Sequence, residues 1–168
     1  SKPTILLNSH IDTVKPNPNW TLNPFEPKEI DGKIYGLGSN DAGGPLVALS
    51  TTFLHFYALE NLSFNLILLA SAEEEISGKN GIESLSSITD NCEFAIIGEP
   101  TEMAAAVSER GLMVLDGKII GKAGHAAREE GINAIYLAQK DIHFFETFEF
   151  EKTNPFLGKI KMSLTQIN

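Results

Sequence analysis

The sequence has a single cysteine, Cys92, among its 168 residues. One cysteine excludes an internal disulfide and excludes any zinc site built from several thiolates. A metal ion held by this chain would therefore need histidine and carboxylate ligands. No apolar run is long enough to cross a bilayer and no segment resembles a signal peptide, so we expect a cytoplasmic protein with no membrane partner.

Basic residues are also scarce. The 13 Lys and Arg residues face 22 Asp and Glu residues, which gives a net charge of -9 and a pI near 4.9. Because the few cations form no cluster, nucleic acid is excluded as a partner. The hydrophobic content of 42% is enough for a globular core. The chain enters an apolar run almost at once, without an initiator methionine, so we expect an internal segment of a longer protein.

Three short runs are continuously apolar, and two helical patterns lie between them. The runs are Thr4–Leu7, Phe64–Ala70 and Phe94–Ile97, and the helical patterns span Leu46–Leu59 and Ile82–Ile88. Unbroken apolar runs are typical of strands that are covered on both faces, as in a parallel sheet. The alternation of strands and helices predicts an α/β fold with helices flanking the sheet.

The pattern changes in the last third of the chain. Val114–Ile120 and the alternating segment Lys159–Ile167 are predicted as strands, and Gly131–Glu146 is predicted as a helix. We expect a separate, smaller α+β unit here. The proline-rich span Lys15–Asp31 is predicted as loop.

Polar side chains follow each predicted strand of the first part. His10 and Asp12 follow the first strand, Glu73–Glu75 follow the second, and Glu99 follows the third. Ligands of open α/β sheets bind at the carboxyl ends of the strands, so these groups should converge on one crevice.

Each of these motifs also has a simpler interpretation. A His-x-Asp triplet such as His10 to Asp12 is common in ordinary loops, and Asp41, in the glycine-rich segment 35–44, is either a helix N-cap or a carboxylate that bridges two cations. The three glutamates are either a solvated first turn of the next helix or part of a metal site. A bound dication would turn their repulsion into ligation, and a glutamate left without a metal bond could then carry a proton.

Five motifs in order carry a resemblance to a known family. They are His10-x-Asp12, Asp41 within Tyr-Gly-x-Gly-x-x-Asp, Glu74-Glu75 followed by Gly78 and Gly81, Gly98-Glu99-Pro100-Thr101, and Arg110-Gly111 with Gly121-x-x-Gly124-His125-Ala126. Together they resemble the acetylornithine deacetylase, succinyl-diaminopimelate desuccinylase and aminoacylase family of dinuclear zinc amidohydrolases. The resemblance extends from Pro3 to Asn168.

The resemblance implies a role for each matching residue in the first part of the chain. His10 and Glu99 would bind one zinc ion, Glu75 would bind the other, and Asp41 would bridge them. Asp12 would orient the ligands, and Glu74 would be the general base. The cofactor would be two Zn²⁺ ions, with Co²⁺ or Mn²⁺ as alternatives.

The resemblance also implies a two-domain architecture. Residues 1–109 would be part of a zinc-peptidase-like catalytic domain, and residues 110–168 the first part of a ferredoxin-like lid through which the protein forms a homodimer. His125 would enter the partner subunit's active site and polarise the scissile carbonyl, although by itself it is typical of a surface-loop histidine. Arg110 would anchor a substrate carboxylate.

The implied activity is hydrolysis of the amide bond of a small N-acyl amino acid. The substrate would be of the N-acetyl- or N-succinyl-ornithine or citrulline type, in arginine biosynthesis, and the alternative in the same family is a dipeptidase or aminopeptidase. A non-catalytic binding or dimerisation module is the alternative of another class, because Leu37 and Gly43 replace an Arg and a Lys that are usual in the family. A further His ligand of the family lies outside this chain, so we expect the segment alone to be inactive.

Overall fold

The computed structural model describes residues 2–125, 127–128 and 130–168. The chain divides into two compact units, Ser1–Ala105 and Ala106–Asn168. Among the described residues, no helix is both long enough and apolar enough to span a membrane.

The first unit is built on a three-stranded parallel sheet. Strand β1 spans Thr4–His10, β4 spans Asn65–Ser71 and β5 spans Phe94–Ile97, and their order is β4-β1-β5. Strand β1 pairs in parallel with both neighbours. The predicted α/β class with a parallel sheet is therefore confirmed.

Short helical elements connect the strands of this sheet. They are a π-helical turn at Ser39–Gly43, helix α1 at Gly44–Tyr57, a 3-10 turn at Ile82–Leu85 and helix α2 at Ser86–Thr89. The prediction of a loop over 15–31 is wrong for its last residues. There, strand β2 at Lys28–Ile30 pairs in antiparallel fashion with β3 at Lys33–Tyr35.

The centre of the first unit is the carboxyl-terminal half of β1. Five consecutive residues, Leu6 to His10, are buried, and the last three of them are polar. The Ser9 hydroxyl donates a hydrogen bond of 2.8 Å to the carbonyl of Gly98. Because its two sheet neighbours supply backbone partners, β1 continues three residues beyond the predicted apolar run and carries His10 to the edge of the sheet.

Gly98 packs where β5 ends against α1, and we expect Gly98→Ala to destabilise the protein. A Cβ at this position would lie 2.8 Å from Leu49 Cδ1, 3.1 Å from Pro45 Cβ and 3.2 Å from Ser9 Cβ. Such overpacking costs about 1–3 kcal/mol in the free energy of unfolding, which urea denaturation would measure. Gly117→Ala is the matched control, because a Cβ there meets nothing within 4 Å. Equal stability of the two variants would contradict the close packing.

The second unit contains helix α3 at Ala134–Thr147 and a short hairpin of β6 at Thr153–Asn154 and β7 at Gly158–Lys159. The Asn133 side chain caps α3 by accepting a hydrogen bond of 2.9 Å from the Ile135 amide. The helix predicted over 131–146 thus begins three residues later than expected.

Two strands predicted for the second unit are wrong. The segment 114–120 forms no strand, and the predicted strand 159–167 contributes only Lys159 to β7. Alternation or apolarity suggests a strand, but a strand forms only with a partner for its backbone groups. Within the part of the chain that the structure describes, neither segment has such a partner over its predicted length.

Candidate metal centre

His10 is the last residue of β1 and lies at the carboxyl edge of the sheet. Its side chain is almost fully buried, and its neighbour Ile11 continues the pairing by donating an amide hydrogen bond of 2.9 Å to the Ser71 carbonyl. The imidazole Nδ1 lies 2.9 Å from the carbonyl oxygen of Asp12. A carbonyl oxygen can only accept, so Nδ1 carries a proton and Nε2 is the nitrogen that faces the site.

Carboxylates from three different loops surround the His10 Nε2 atom. Asp41 Oδ1 lies 3.0 Å away, Glu99 Oε2 lies 3.9 Å away and Glu74 Oε2 lies 4.0 Å away. These loops follow β3, β5 and β4 in the chain. The parallel strands β4 and β5 end at the edge of the sheet where His10 lies, which places Glu74 and Glu99 near its side chain. Asp41 follows the separate antiparallel hairpin and reaches the same edge from the turn that precedes α1.

Asp41 is held in the turn that precedes α1. The N-cap position of α1 is Gly43, no side chain caps that helix, and Asp41 has the non-helical dihedrals φ -116° and ψ 101°. The interpretation of Asp41 as a helix N-cap is therefore wrong. Its carboxylate points to His10 instead, and the peptide bond that follows it is cis.

The three glutamates after β4 lie in a loop. Residues 74–77 and 79–80 form turns, and the next helical element begins only at Ile82. The interpretation as the acidic first turn of a helix is therefore wrong, and no helix dipole offsets their charges. Asp12 holds the backbone of this loop, because its two carboxylate oxygens accept the amide groups of Glu74 and Glu75, each at 3.2 Å.

The surroundings shift the pKa of three groups in the site. Burial is the largest influence on His10 and lowers its pKa, but the Asp41 hydrogen bond, the Asp12 carbonyl and the nearby acids together raise it above its ordinary value. The pKa of Glu99 lies above its ordinary value. Burial is the largest cause, His10 opposes it, and the neighbouring carboxylates raise the pKa further. For Asp12, burial opposes ionisation, yet the amides of Glu74 and Glu75 hold the pKa below its ordinary value.

Three of these residues could hold a metal ion. One ligand atom each from His10, Asp41 and Glu75 lies within 4.8 Å of the others. An imidazole nitrogen and carboxylate oxygens form a donor set that suits zinc and related divalent ions. The contacts of His10 also fit a metal site. The backbone carbonyl of Asp12 fixes the ring through Nδ1 and leaves Nε2 to bind a metal ion.

The other two predicted site residues, Arg110 and His125, belong to the second unit. The Arg110 guanidinium donates hydrogen bonds of 2.8 and 2.5 Å from Nε and Nη2 to the carbonyl of Leu157. His125 is exposed, and its Nδ1 accepts a hydrogen bond of 3.1 Å from the Ala127 amide. The first unit thus brings together the metal-site candidates, and the roles of all the predicted site residues remain proposals.

A sequence model of peptidase family M20/M25/M40 matches residues 6–161. The chain belongs to this family. The acetylornithine deacetylase of Photorhabdus laumondii subsp. laumondii is 35% identical over 145 residues, which cover 84% of this chain and 37% of that protein. The acetylornithine deacetylase of Proteus mirabilis is 34% identical over 145 residues, which cover 85% of this chain and 37% of that protein.

A solved structure, human carnosine dipeptidase 1, matches this family member with a TM-score of 0.49 and 27% identity, over 59% of this chain and 23% of that one. The chain spans a little over a third of the length of the curated relatives that it matches. The activity of the whole protein is therefore a matter for proposal.

Glu73 has a partner that the sequence pattern does not reveal. Although the pattern groups this residue with Glu74 and Glu75, its carboxylate binds Asn80. The signal was present in Gly78 and Gly81, because glycines close to a polar segment often permit a tight turn.

We expect Asp12→Ala to reduce zinc affinity about 10- to 100-fold, the range typical of residues that orient metal ligands. The change removes the acceptor of two loop amides and should let Glu75 move. Competition with a chelator in the full-length protein would measure the affinity, and Asp116→Ala, at an exposed position of the second unit, is the control. Unchanged zinc affinity in Asp12→Ala would contradict this positioning role.

Proposed function

We propose that the protein that carries this chain is a metal-dependent amidohydrolase that removes the acyl group from a small N-acyl amino acid. The observation that carries the proposal is the convergence of carboxylates on the buried His10. Membership of the peptidase family and the identity to acetylornithine deacetylases support it.

In this proposal the metal ligands are His10, Asp41, Glu75 and Glu99. As the family resemblance implies, His10 and Glu99 would hold one ion, Glu75 would hold the other, and Asp41, one oxygen of which lies 3.0 Å from His10 Nε2, would serve both. When bound, two divalent cations would supply an activated water and a polarised amide carbonyl.

Glu74 is the proposed general base. Its carboxylate approaches His10 only to 4.0 Å, and its side chain is about half exposed, at 54%. Glu99 lies at nearly the same distance from His10, 3.9 Å, so the resemblance to the dinuclear zinc amidohydrolases is what separates the role of Glu74 as base from that of Glu99 as ligand. Glu74 is thus available to take a proton from the attacking water and to deliver it to the leaving amine.

The second unit supplies the proposed substrate contacts. Arg110 donates two hydrogen bonds to one carbonyl, and a guanidinium has five N–H groups, so others are available for a substrate carboxylate. His125 would donate to the scissile carbonyl in the partner subunit's active site. Residues 110–168 would belong to a ferredoxin-like lid that forms a homodimer.

The experiment is an assay of the full-length protein on N-acetyl-L-ornithine, N-succinyl-ornithine, N-acetyl-citrulline and a panel of dipeptides. We expect acyl amino acid hydrolysis that chelation abolishes and Zn²⁺ or Co²⁺ restores. Turnover of dipeptides alone would assign the protein to the peptidase alternative. Tight metal binding without hydrolysis of any amide would favour the non-catalytic alternative and would contradict the proposal.

A further inference from the structure

The three consecutive glutamates after β4 have different surroundings. Glu74 and Glu75 face His10 and the metal-site candidates. Glu73 turns to Asn80, whose backbone amide donates to Oε2 at 3.0 Å and whose side-chain amide donates to Oε1 at 2.9 Å. Both carboxylate oxygens of Glu73 are therefore used within the loop.

The backbone of the same loop is closed by two further hydrogen bonds. The Gly78 amide donates to the Glu73 carbonyl, and the Ser77 amide donates to the Glu74 carbonyl, each at 2.9 Å. Glu73 adopts φ 57° and Ser77 φ 49°, in the left-handed region that costs most residues energy. The contacts of Glu73 with Asn80 help to hold this conformation.

Gly78 provides the space for the Glu73 side chain. A Cβ at position 78 would lie 2.6 Å from Glu73 Cβ and 2.8 Å from Cδ, and it would overlap the carboxylate oxygen Oε2. The Glu73 side chain thus lies directly over Gly78, and no other residue type at position 78 would leave it in place.

The loop is held from its other side by Asp12, which binds the amides of Glu74 and Glu75. The loop that contains Glu74 and Glu75 is therefore fixed by two carboxylates, those of Asp12 and Glu73. This segment carries the proposed base and one proposed metal ligand.

We propose that Glu73 is a positioning residue whose contacts with Asn80, over Gly78, fix the loop that presents Glu74 and Glu75 to the site. This inference rests on the proposed function. Glu73 is neither a ligand nor a proton carrier in this scheme, because both of its oxygens are engaged by Asn80.

The first test compares Glu73→Ala, Asn80→Ala and the double variant in the full-length protein. Glu73→Ala loses both contacts and should lower kcat about 10- to 100-fold with little change in KM, since it disturbs the base and a ligand. Asn80→Ala keeps the backbone donor and should lower kcat about threefold to tenfold. The double variant should match Glu73→Ala, because the two residues act through one contact.

Three controls separate positioning from a direct role. Glu73→Gln keeps one acceptor for Asn80 and should resemble Asn80→Ala, whereas a ligand or proton carrier would lose its function as fully in glutamine as in alanine. Glu83→Ala, an exposed acid in the next helical turn, should behave as wild type. Zinc affinity from chelator competition should fall with kcat in Glu73→Ala, because Glu75 shares the loop.

Gly78→Ala is an independent way to displace the Glu73 side chain, because the added Cβ would overlap it. It should lower kcat as Glu73→Ala does, and it should add little in a Glu73→Gly background, where the overlapping side chain is gone. If Glu73→Ala does not fold, this pair and the Asn80→Ala variant decide the question.

The outcomes distinguish this inference from the proposed function. A wild-type protein that hydrolyses no amide would refute the proposed function, and faster hydrogen exchange of residues 74–80 in Glu73→Ala would still support the positioning of the loop. An active wild type with Glu73→Ala and Asn80→Ala within twofold of it would overturn the positioning role. Losses that multiply in the double variant would overturn it as well.

Discussion

Replacement of Glu74 by glutamine is expected to lower kcat for amide hydrolysis by about 10²- to 10⁴-fold, the range for loss of a general base. The Glu74 side chain is about half exposed at the mouth of the site, and its carboxylate lies 4.0 Å from His10 Nε2. Glutamine has the same shape and keeps the backbone amide that Asp12 holds. Glutamine loses the negative charge and the ability to take a proton, but because Glu74 is not a proposed metal ligand, zinc content and KM should remain near those of the wild type.

Glu75→Gln is the matched control for this prediction. Glu75 is adjacent, is bound by Asp12 in the same way and belongs to the group of three that could hold a metal ion. We expect this variant to lose zinc affinity along with activity. Steady-state kinetics combined with metal analysis would distinguish loss of the base in Glu74→Gln from loss of zinc in Glu75→Gln. A Glu74→Gln protein with wild-type kcat would contradict the role of Glu74.

The Asp41→Asn variant should lose zinc affinity and, with it, activity. The loss should exceed the 10- to 100-fold that is typical when a residue that only orients metal ligands is replaced. Asp41 Oδ1 lies 3.0 Å from His10 Nε2, and a carboxylate has a second oxygen that could serve a second ion. Asparagine has the same shape as aspartate, so the fold should survive. It lacks the negative charge and the second oxygen of the carboxylate that a bridging ligand needs.

Zinc bound per chain after dialysis and activity restored by excess zinc would measure the effect. Asp31→Asn is the control, because Asp31 lies in the turn between β2 and β3 at φ 52°, a conformation that asparagine tolerates. If Asp41→Asn kept two tightly bound zinc ions, Asp41 would not be the bridging ligand.

The parallel sheet of the first unit was predictable, because continuous apolar runs separated by helical patterns indicate buried strands. The end of β1 was not predicted, since the run of Asn8, Ser9 and His10 is polar and yet buried. Pairing with two neighbours and hydrogen bonds such as that from Ser9 to Gly98 allow these polar residues to continue a strand. Composition alone does not reveal such partners.

The candidate site followed from the rule that polar residues after parallel strands meet at one edge. The rule does not assign individual side chains, and the three glutamates show why. Glu73 differs from Glu74 and Glu75 only through its contact with Asn80 and the space over Gly78. In the second unit, the segment 114–120 has apolar pairs at both ends but is exposed throughout, and without a pairing partner such a sequence does not make a strand.

The most direct test of the account is anomalous diffraction at the zinc edge from crystals of the full-length protein. We predict two zinc peaks at the carboxyl edge of the sheet, each within ordinary ligand distance, about 2 Å, of its residues. His10 and Glu99 should contact one ion, Glu75 the other, and Asp41 both. Peaks elsewhere, or none at His10 in a zinc-loaded and active crystal, would contradict the claim that these residues form the metal centre.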